Sequence, residues 1–380
     1  MQMKTYLFKN GYWDDVLDAS MDSENTLILM FGSTNVLNVK KGIDDITETF
    51  PKATVVGSST SGEIYGSEIF HDSISVSVMH FNKSSFKVIV KDISEHNSFD
   101  VGKEIVSALP KENLKSIFLL ANVLNVNGSE LTKGLSTDVP TSCVITGGLA
   151  GDGVEFNKTW ILLNSQLMKK QIISVGLYGG DLRVDYGCKC GWSRFGLDRK
   201  VTSSQDNVLY TLDNKPALEL YKRYLGIHAS QLPASGLYFP LMLLEEGSDK
   251  PTLRAIKAID EDNNSIILAA SIPQNSTVTF AKANLDELIM GAQEAAESLV
   301  SNYDGKQKAL CIAINCIARK VVLKQAAEDE IEVVDDTTGP NVSTVGFYSY
   351  GEISRVESGG CNFHNQSMTL MLIYEVEDND

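Results

Sequence analysis

The sequence predicts an α/β fold in which a strand-helix-strand-turn-strand unit repeats, forming helix-covered β-sheets in two fused domains. Three observations predict it. Apolar runs of strand length alternate with helical stretches. A glycine-bearing turn follows the second strand of each unit. This order recurs three times along 380 residues, a length beyond what one core usually serves.

In the first unit, 26–31 reads as a buried strand and 36–50 as a helix ended by Pro51. A strand at 54–56 runs into Gly57-Ser58-Ser59-Thr60-Ser61-Gly62-Glu63-Ile64, and 73–79 alternates with period two. In the second unit, strand 116–120 and a helical stretch near 129–135 precede strand 143–146. That strand leads into Gly147-Gly148-Leu149-Ala150-Gly151-Asp152-Gly153, and strand 160–163 follows. In the third, strand 309–314 and helix 321–327 precede Thr344-Val345. Then come Gly346-Phe347-Tyr348-Ser349-Tyr350-Gly351-Glu352-Ile353 and strand 367–374.

The first and third units agree in detail. Each has Val-Gly, four residues, Gly-Glu-Ile, a loop, a histidine (His71 or His364) and an alternating strand. Between the second and third units, 172–178 and 183–190 are strand-like, and 202–207 reads as a linker. A helix is expected at 216–225 with Pro216 at its first position, strands at 265–271 and 277–280, and an amphipathic helix at 286–300. The expected domains are 1–201 and 202–380, the second with a core over 215–375.

Composition narrows the function. Hydrophobic residues make up 43% and charged residues 22%, as in an ordinary folded protein. The net charge of −16 repels a phosphate backbone and an anionic membrane, so neither nucleic acid nor membrane is an expected partner. The longest apolar stretch, 309–318, contains Asn315 and is too short to cross a bilayer, and the N-terminus has no apolar core of signal-peptide length. A cytoplasmic location is expected. The six cysteines form no C-x-x-C pair and no zinc-site spacing, which reads as reduced thiols.

These turns resemble motifs of the FIST family, in which a FIST N domain precedes a FIST C domain. Gly57 to Ile64 is similar to the family's Gly-Cys-Ser-Thr-x-Gly-Glu-Ile turn, with Ser58 in place of Cys. Gly147 to Gly153 is similar to its Gly-Gly-x-Ala-Gly-Asp-Gly turn. Phe347 to Ile353 and Phe363 to Leu370 resemble the closing motifs of FIST C, and Pro216 to Gly226 its opening. Ala318 in Cys316-Ile317-Ala318-Arg319 stands where the family's motif has Gly. The resemblance implies a bacterial sensory module for a small ligand, with amino acids proposed as ligands. One branch, the NosP-type proteins, is also free-standing; it implies haem, nitric-oxide sensing and a partner histidine kinase. A cyclic-dinucleotide signalling protein is the alternative partner, and a homodimer stays open.

The candidate ligand residues lie in the turns: Ser59, Thr60, Gly62, Glu63, Gly148, Gly151, Asp152, Tyr350, Gly351, Glu352, Asn365 and Gln366. Backbone N–H groups of such turns can cradle a carboxylate or a haem propionate. The Walker pattern is absent, since Glu63 follows Gly62. Glu63 and Glu352 either hold an amino group of a ligand or fix their own turns. Of His71, His80, His96, His228 and His364, the first choice for a haem b ligand is His364, with Cys361 three residues upstream and Phe363, Phe347 and Tyr348 expected around it. His228, at the end of a helix bearing Tyr221 and Tyr224, is second. The alternative for His364 is a structural imidazole bonding the neighbouring turn. Cys188 and Cys190 read as structural thiols, and Arg194 and Arg199 as surface ion pairs or anion contacts. No catalytic signature is present; Ser59 and Thr60 are the only hydroxyl nucleophiles to name. Three readings stay open: a haem-based nitric-oxide sensor, a cofactor-free sensor of an amino acid or similar metabolite, and an enzyme acting on such a metabolite.

Overall fold

The computed structural model describes residues 1–93, 97–122, 126–153, 155, 157–244, 251–356 and 359–376, with the side chains of 36–38 excepted. The first unit comprises β1 (Gln2–Lys9), β2 (Tyr12–Trp13), β3 (Thr26–Gly32), α1 (Val36–Thr49), β4 (Thr54–Ser59), β5 (Glu63–Tyr65), β6 (Glu68–Phe70) and β7 (Ser73–His80). The second comprises β8 (Ser85–Asp92), α2 (Ser98–Ala108), β9 (Leu114–Ala121), α3 (Gly128–Leu135), β10 (Val144–Leu149), β11 (Ile161–Leu163), β12 (Gln166–Met168) and β13 (Gln171–Tyr178). The third opens with β14 (Leu182–Lys189).

An insertion follows β14: β15 (Ser193–Gln205), β16 (Val208–Leu212), β17 (Lys215–Pro216), α4 (Ala217–Leu225), β18 (Leu241–Leu244), β19 (Thr252–Arg254), β20 (Ile256–Asp260), β21 (Ser265–Leu268) and β22 (Thr277–Lys282). The third unit then resumes with α5 (Leu285–Leu299), β23 (Ala309–Cys316), α6 (Ile317–Leu323), α7 (Ala327–Thr338), β24 (Val342–Ser349), β25 (Glu352–Arg355), β26 (Cys361–His364) and β27 (Met368–Glu375). The helix expected at 321–327 is thus α6, a 3₁₀ turn (Lys324–Ala326) and the start of α7. The linker expected at 202–207 is not one. Residues 202–205 end β15, and 206–207 turn into β16.

Each unit builds the same sheet. A parallel pair (β3 with β4, β9 with β10, β23 with β24) is flanked by an antiparallel strand (β7, β13, β27), then by the unit's first strand (β1, β8, β14). The hairpin that follows the turn does not stay at home. Hairpin β5–β6 adds to β24 in the third sheet, β25–β26 adds to β10 in the second, and β11–β12 adds to β4 in the first. The exchange is cyclic and closes on itself. The third sheet also joins β14 to β27, so it draws on both halves of the chain.

The apolar runs of the central strands have two faces to bury, which is why they read as continuous rather than alternating. Leu29 and Phe31, Phe118 and Leu120, and Ile312 and Ile314 point inward into one shared core, where the rings of Phe31 and Phe347 stack at 4.6 Å. Their neighbours point outward under helices. Ile28 and Met30 meet α1, Ile117 and Leu119 meet α2 and α3, and Cys311 and Ala313 meet α5 and α7. Asparagine caps start α2, α3 and α5, each side chain accepting from a first-turn N–H (Asn97 from Asp100, Asn127 from Glu130, Asn284 from Asp286).

Gly57, Gly147 and Gly346 are equivalent by register, opposite Met30, Leu119 and Ala313. At each, a Cβ would overlap the carbonyl oxygen of that partner. Gly346→Ala is expected to cost about 3 kcal/mol, as overpacking against backbone does. Gly66→Ala, in open space at φ 59°, should cost about 1 kcal/mol. Urea unfolding of the two variants checks the contrast.

Candidate functional site

The register that aligns the three glycines aligns the turns after them. Thr60 matches Ala150 and Ser349, Ser61 matches Gly151 and Tyr350, and Glu63 matches Gly153 and Glu352. Because each hairpin crosses to another sheet, the three turns meet. Ser61 N–H donates to the Tyr348 carbonyl at 2.8 Å, and Tyr348 N–H donates to that of Gly62 at 2.9 Å. Gly151 N–H donates to the Ser59 carbonyl at 3.0 Å, and Gly153 N–H to Ser61 Oγ at 3.1 Å. Leu149 N–H donates to the Gly351 carbonyl at 2.9 Å, and the Tyr350 hydroxyl donates to Asp152. All twelve candidate ligand residues except Asn365 and Gln366 belong to this convergence, Gly148 through the Ile314, Phe347 and Ser349 side chains that crowd it.

Glu63 and Glu352 are 1% and 0% exposed. Each carboxylate accepts from the hydroxyl three residues before it and from the serine that opens the returning strand. Thr60 Oγ1 and Ser73 Oγ (2.7 Å) serve Glu63; Ser349 Oγ (2.7 Å) and Ser367 Oγ (3.0 Å) serve Glu352. The carboxylates therefore staple each exchanged hairpin to its home unit. Burial raises both to about 7.

Beside buried Gly62 lie half-buried Lys320 and exposed His71. Lys320 Nζ, from α6, donates to the Ser61 carbonyl at 3.0 Å and lies 4.9 Å from the centroid of the Tyr348 ring. A Cβ on Gly62 would overlap that nitrogen, and exposed His71 borders the same space. Burial lowers Lys320 to about 8, with Glu63 opposing, and lowers His71, with Lys320 adding to the effect.

The other predicted residues lie elsewhere. His364 pairs with Glu352 across β25–β26, so the two share a face. Cys361 and Phe363 point to the opposite face and pack in the core that includes α3. Phe347 stacks on Phe31, and Tyr348 lies under Lys320. His364 is thus not ringed by Phe347, Tyr348 and Phe363 as expected. Burial lowers it to about 4, and its Nε2 is buried without a hydrogen-bond partner. Asn365 Oδ1 and Gln366 Oε1 share that condition, while Gln366 Nε2 donates to the Leu237 carbonyl of the insertion at 2.9 Å. His228 is exposed and packs its ring on Phe239. His80 bonds Thr26, and His96 lies outside the described residues. Arg194 pairs with Asp198 and Arg199 with Asp213, and all six cysteines are free thiols.

Sequence reasoning missed the polar anchor behind this region. Arg319 and Glu330 form a fully buried ion pair, with Nε to Oε1 at 2.7 Å. Arg319 also donates to the carbonyls of Cys190, Leu288 (2.8 Å) and Gln366 (3.2 Å), and Asn315 Nδ2 donates to Glu330 at 2.7 Å. The Arg in Cys316-Ile317-Ala318-Arg319 was the available signal.

Glu330→Gln, which leaves a buried guanidinium unpaired, is expected to cost about 3–5 kcal/mol in urea unfolding. For Glu63 and Glu352 the folded value lies above the ordinary 4.5, so the folded state holds the proton more tightly. Stability is then full below about pH 4.5 and falls as pH rises to about 7, on the order of 3 kcal/mol per carboxyl. Glu63→Gln and Glu352→Gln should each flatten that fall, read as the urea midpoint against pH.

Comparison with known proteins agrees with this architecture. The FIST N domain matches residues 26–215 and the FIST C domain residues 217–355. An uncharacterized protein of Methanocaldococcus jannaschii, MJ1623, is 26% identical over 386 residues, covering 89% of this chain and 71% of that protein. A crystal structure of cyanuric acid hydrolase from A. caulinodans aligns over 77% of this chain and 100% of its own at 10% identity, with a TM-score of 0.18, too low to bear on fold or function. By the two domain matches, which together span most of its length, the chain belongs to the FIST family of sensory signalling domains.

Proposed function

We propose that this protein is a sensor that holds a small polar metabolite, with an amino acid as the leading class, where the three turns converge. The convergence itself supports the reading: backbone donors and acceptors, Glu63 and His71 surround Gly62, and Lys320 Nζ fills the place its side chain would take. A ligand carboxylate would face the Lys320 ammonium. Because the turns come from three different units, an occupant there touches all three sheets and can shift their packing, which a partner then reads. A separate histidine kinase is the first partner to test and a cyclic-dinucleotide signalling protein the second. The reading is of a binder rather than an enzyme. Ser59 Oγ accepts the Trp160 N–H at 3.0 Å and Thr60 donates to Glu63, so both named hydroxyls are committed within the turns. No helix among the described residues is long and apolar enough to cross a membrane. The proposed location is the cytoplasm.

A second reading, haem b at His364 sensing nitric oxide, has one observation in its favour: a half-buried imidazole whose Nε2 is buried and lacks a partner. The same face carries Glu352 and feels Arg254, so the remaining surroundings are polar rather than an apolar slot. No step of the proposal passes through haem.

Thermal unfolding against the twenty amino acids tests the first reading. At ligand near 100 times Kd the expected stabilisation is about 2.7 kcal/mol, lost in Lys320→Met. No stabilisation by any amino acid, together with a Soret band on haem addition that His364→Ala abolishes, would replace it with the second.

A further inference from the structure

Lys320 combines a backbone hydrogen bond, an aromatic ring beneath it and partial burial. Its Nζ makes one hydrogen bond, to the Ser61 carbonyl, and lies over the Tyr348 ring. Among the described residues no carboxylate lies within 4 Å of it, whereas Lys4, Lys41, Lys91, Lys133, Lys158 and Lys222 each have one. Residue 62 has a φ of +147°, which side chains rarely adopt, and a Cβ there would meet the nitrogen. The groups that face it are Glu63, itself bonded to Thr60 and Ser73, and His71, which reaches solvent. An amine in such a place is a ready nucleophile.

We infer that Lys320 is a covalent capture site for a carbonyl metabolite, an aldehyde or an α-oxo acid, which it binds as a reversible imine. Nζ adds to the carbonyl carbon to give a carbinolamine. The nitrogen loses a proton and the oxygen gains one, through solvent on the His71 side. A second proton lets the oxygen leave as water as the C=N bond forms, and hydrolysis returns both partners unchanged. No oxidant or reductant is needed. This rests on the turn convergence as the ligand site and narrows its occupant from an amino acid to the corresponding carbonyl compound. The shift of Lys320 to about 8 supports it, since a useful fraction of the amine is neutral at physiological pH.

The test uses the full-length protein with limiting glyoxylate and cyanoborohydride, which freezes the imine as a carboxymethyl-lysine, followed by peptide mass mapping. Exposed Lys52 and Lys306 serve as internal references. At pH 7.5 Lys320 is expected to label about 10-fold faster than either. Its rate should level off above about pH 8 while theirs still climb, and the preference should vanish in urea. Labelling of Lys320 at or below the reference rates in native protein would overturn the inference. Should that happen while an amino acid still stabilises the protein, the sensor reading stands without the imine. Loss of both results removes both.

Discussion

The cyclic exchange of hairpins is the constraint from which the rest of this structure follows. No unit completes its own sheet: each parallel pair has an open edge that only a neighbour's hairpin covers. Covering edges in this way removes three templates for unwanted pairing, and it makes the three units one cooperative body. It also carries the turns, which lie at the base of the exchanged hairpins, to one place. The convergence that makes a ligand site is therefore a by-product of how the sheets are closed, not a separate construction.

Burying so many polar groups at such a junction is stable only if they satisfy one another. The turns do so with backbone bonds between units and with carboxylates aimed at hydroxyls. Glu63 and Glu352 repeat the same device, while the second unit has Gly153 at that place and uses Asp152 to cap the N–H groups of Asn157 and Lys158 instead. The internal symmetry is thus broken at one of three positions. Behind it, the Arg319–Glu330 pair ties α6, α7 and the loop before β27 together with no exposure.

Much of this was legible in the residues. Period and turn chemistry placed the central strands of all three units, and the agreement of Gly-Glu-Ile with a following histidine revealed the duplication. What stayed hidden is non-local. Nothing in the residues of β5 or β25 says which edge they join, because a short strand has the same pattern in its own sheet or another's. Strand alternation could have warned that His364 and Phe363 face opposite ways, and proximity along the chain misled there. Residues 202–207 read as a linker because they are polar, although they end β15 and turn into β16. Lys320 escaped notice since a lone lysine on a short helix carries no motif; only its seat above Gly62 singles it out.

The order of strands in the third sheet has a consequence for biosynthesis. Strand β27 ends the described chain, yet it sits between β14 and β23 rather than at a rim. During translation β14 emerges some 180 residues before its partner, and β5 waits longer still for β24. The nascent chain therefore carries exposed pairing edges until β27 leaves the ribosome, a period in which chaperones have most to protect. A product cut short a few residues before Met368 would lose not a tail but an interior strand of a sheet.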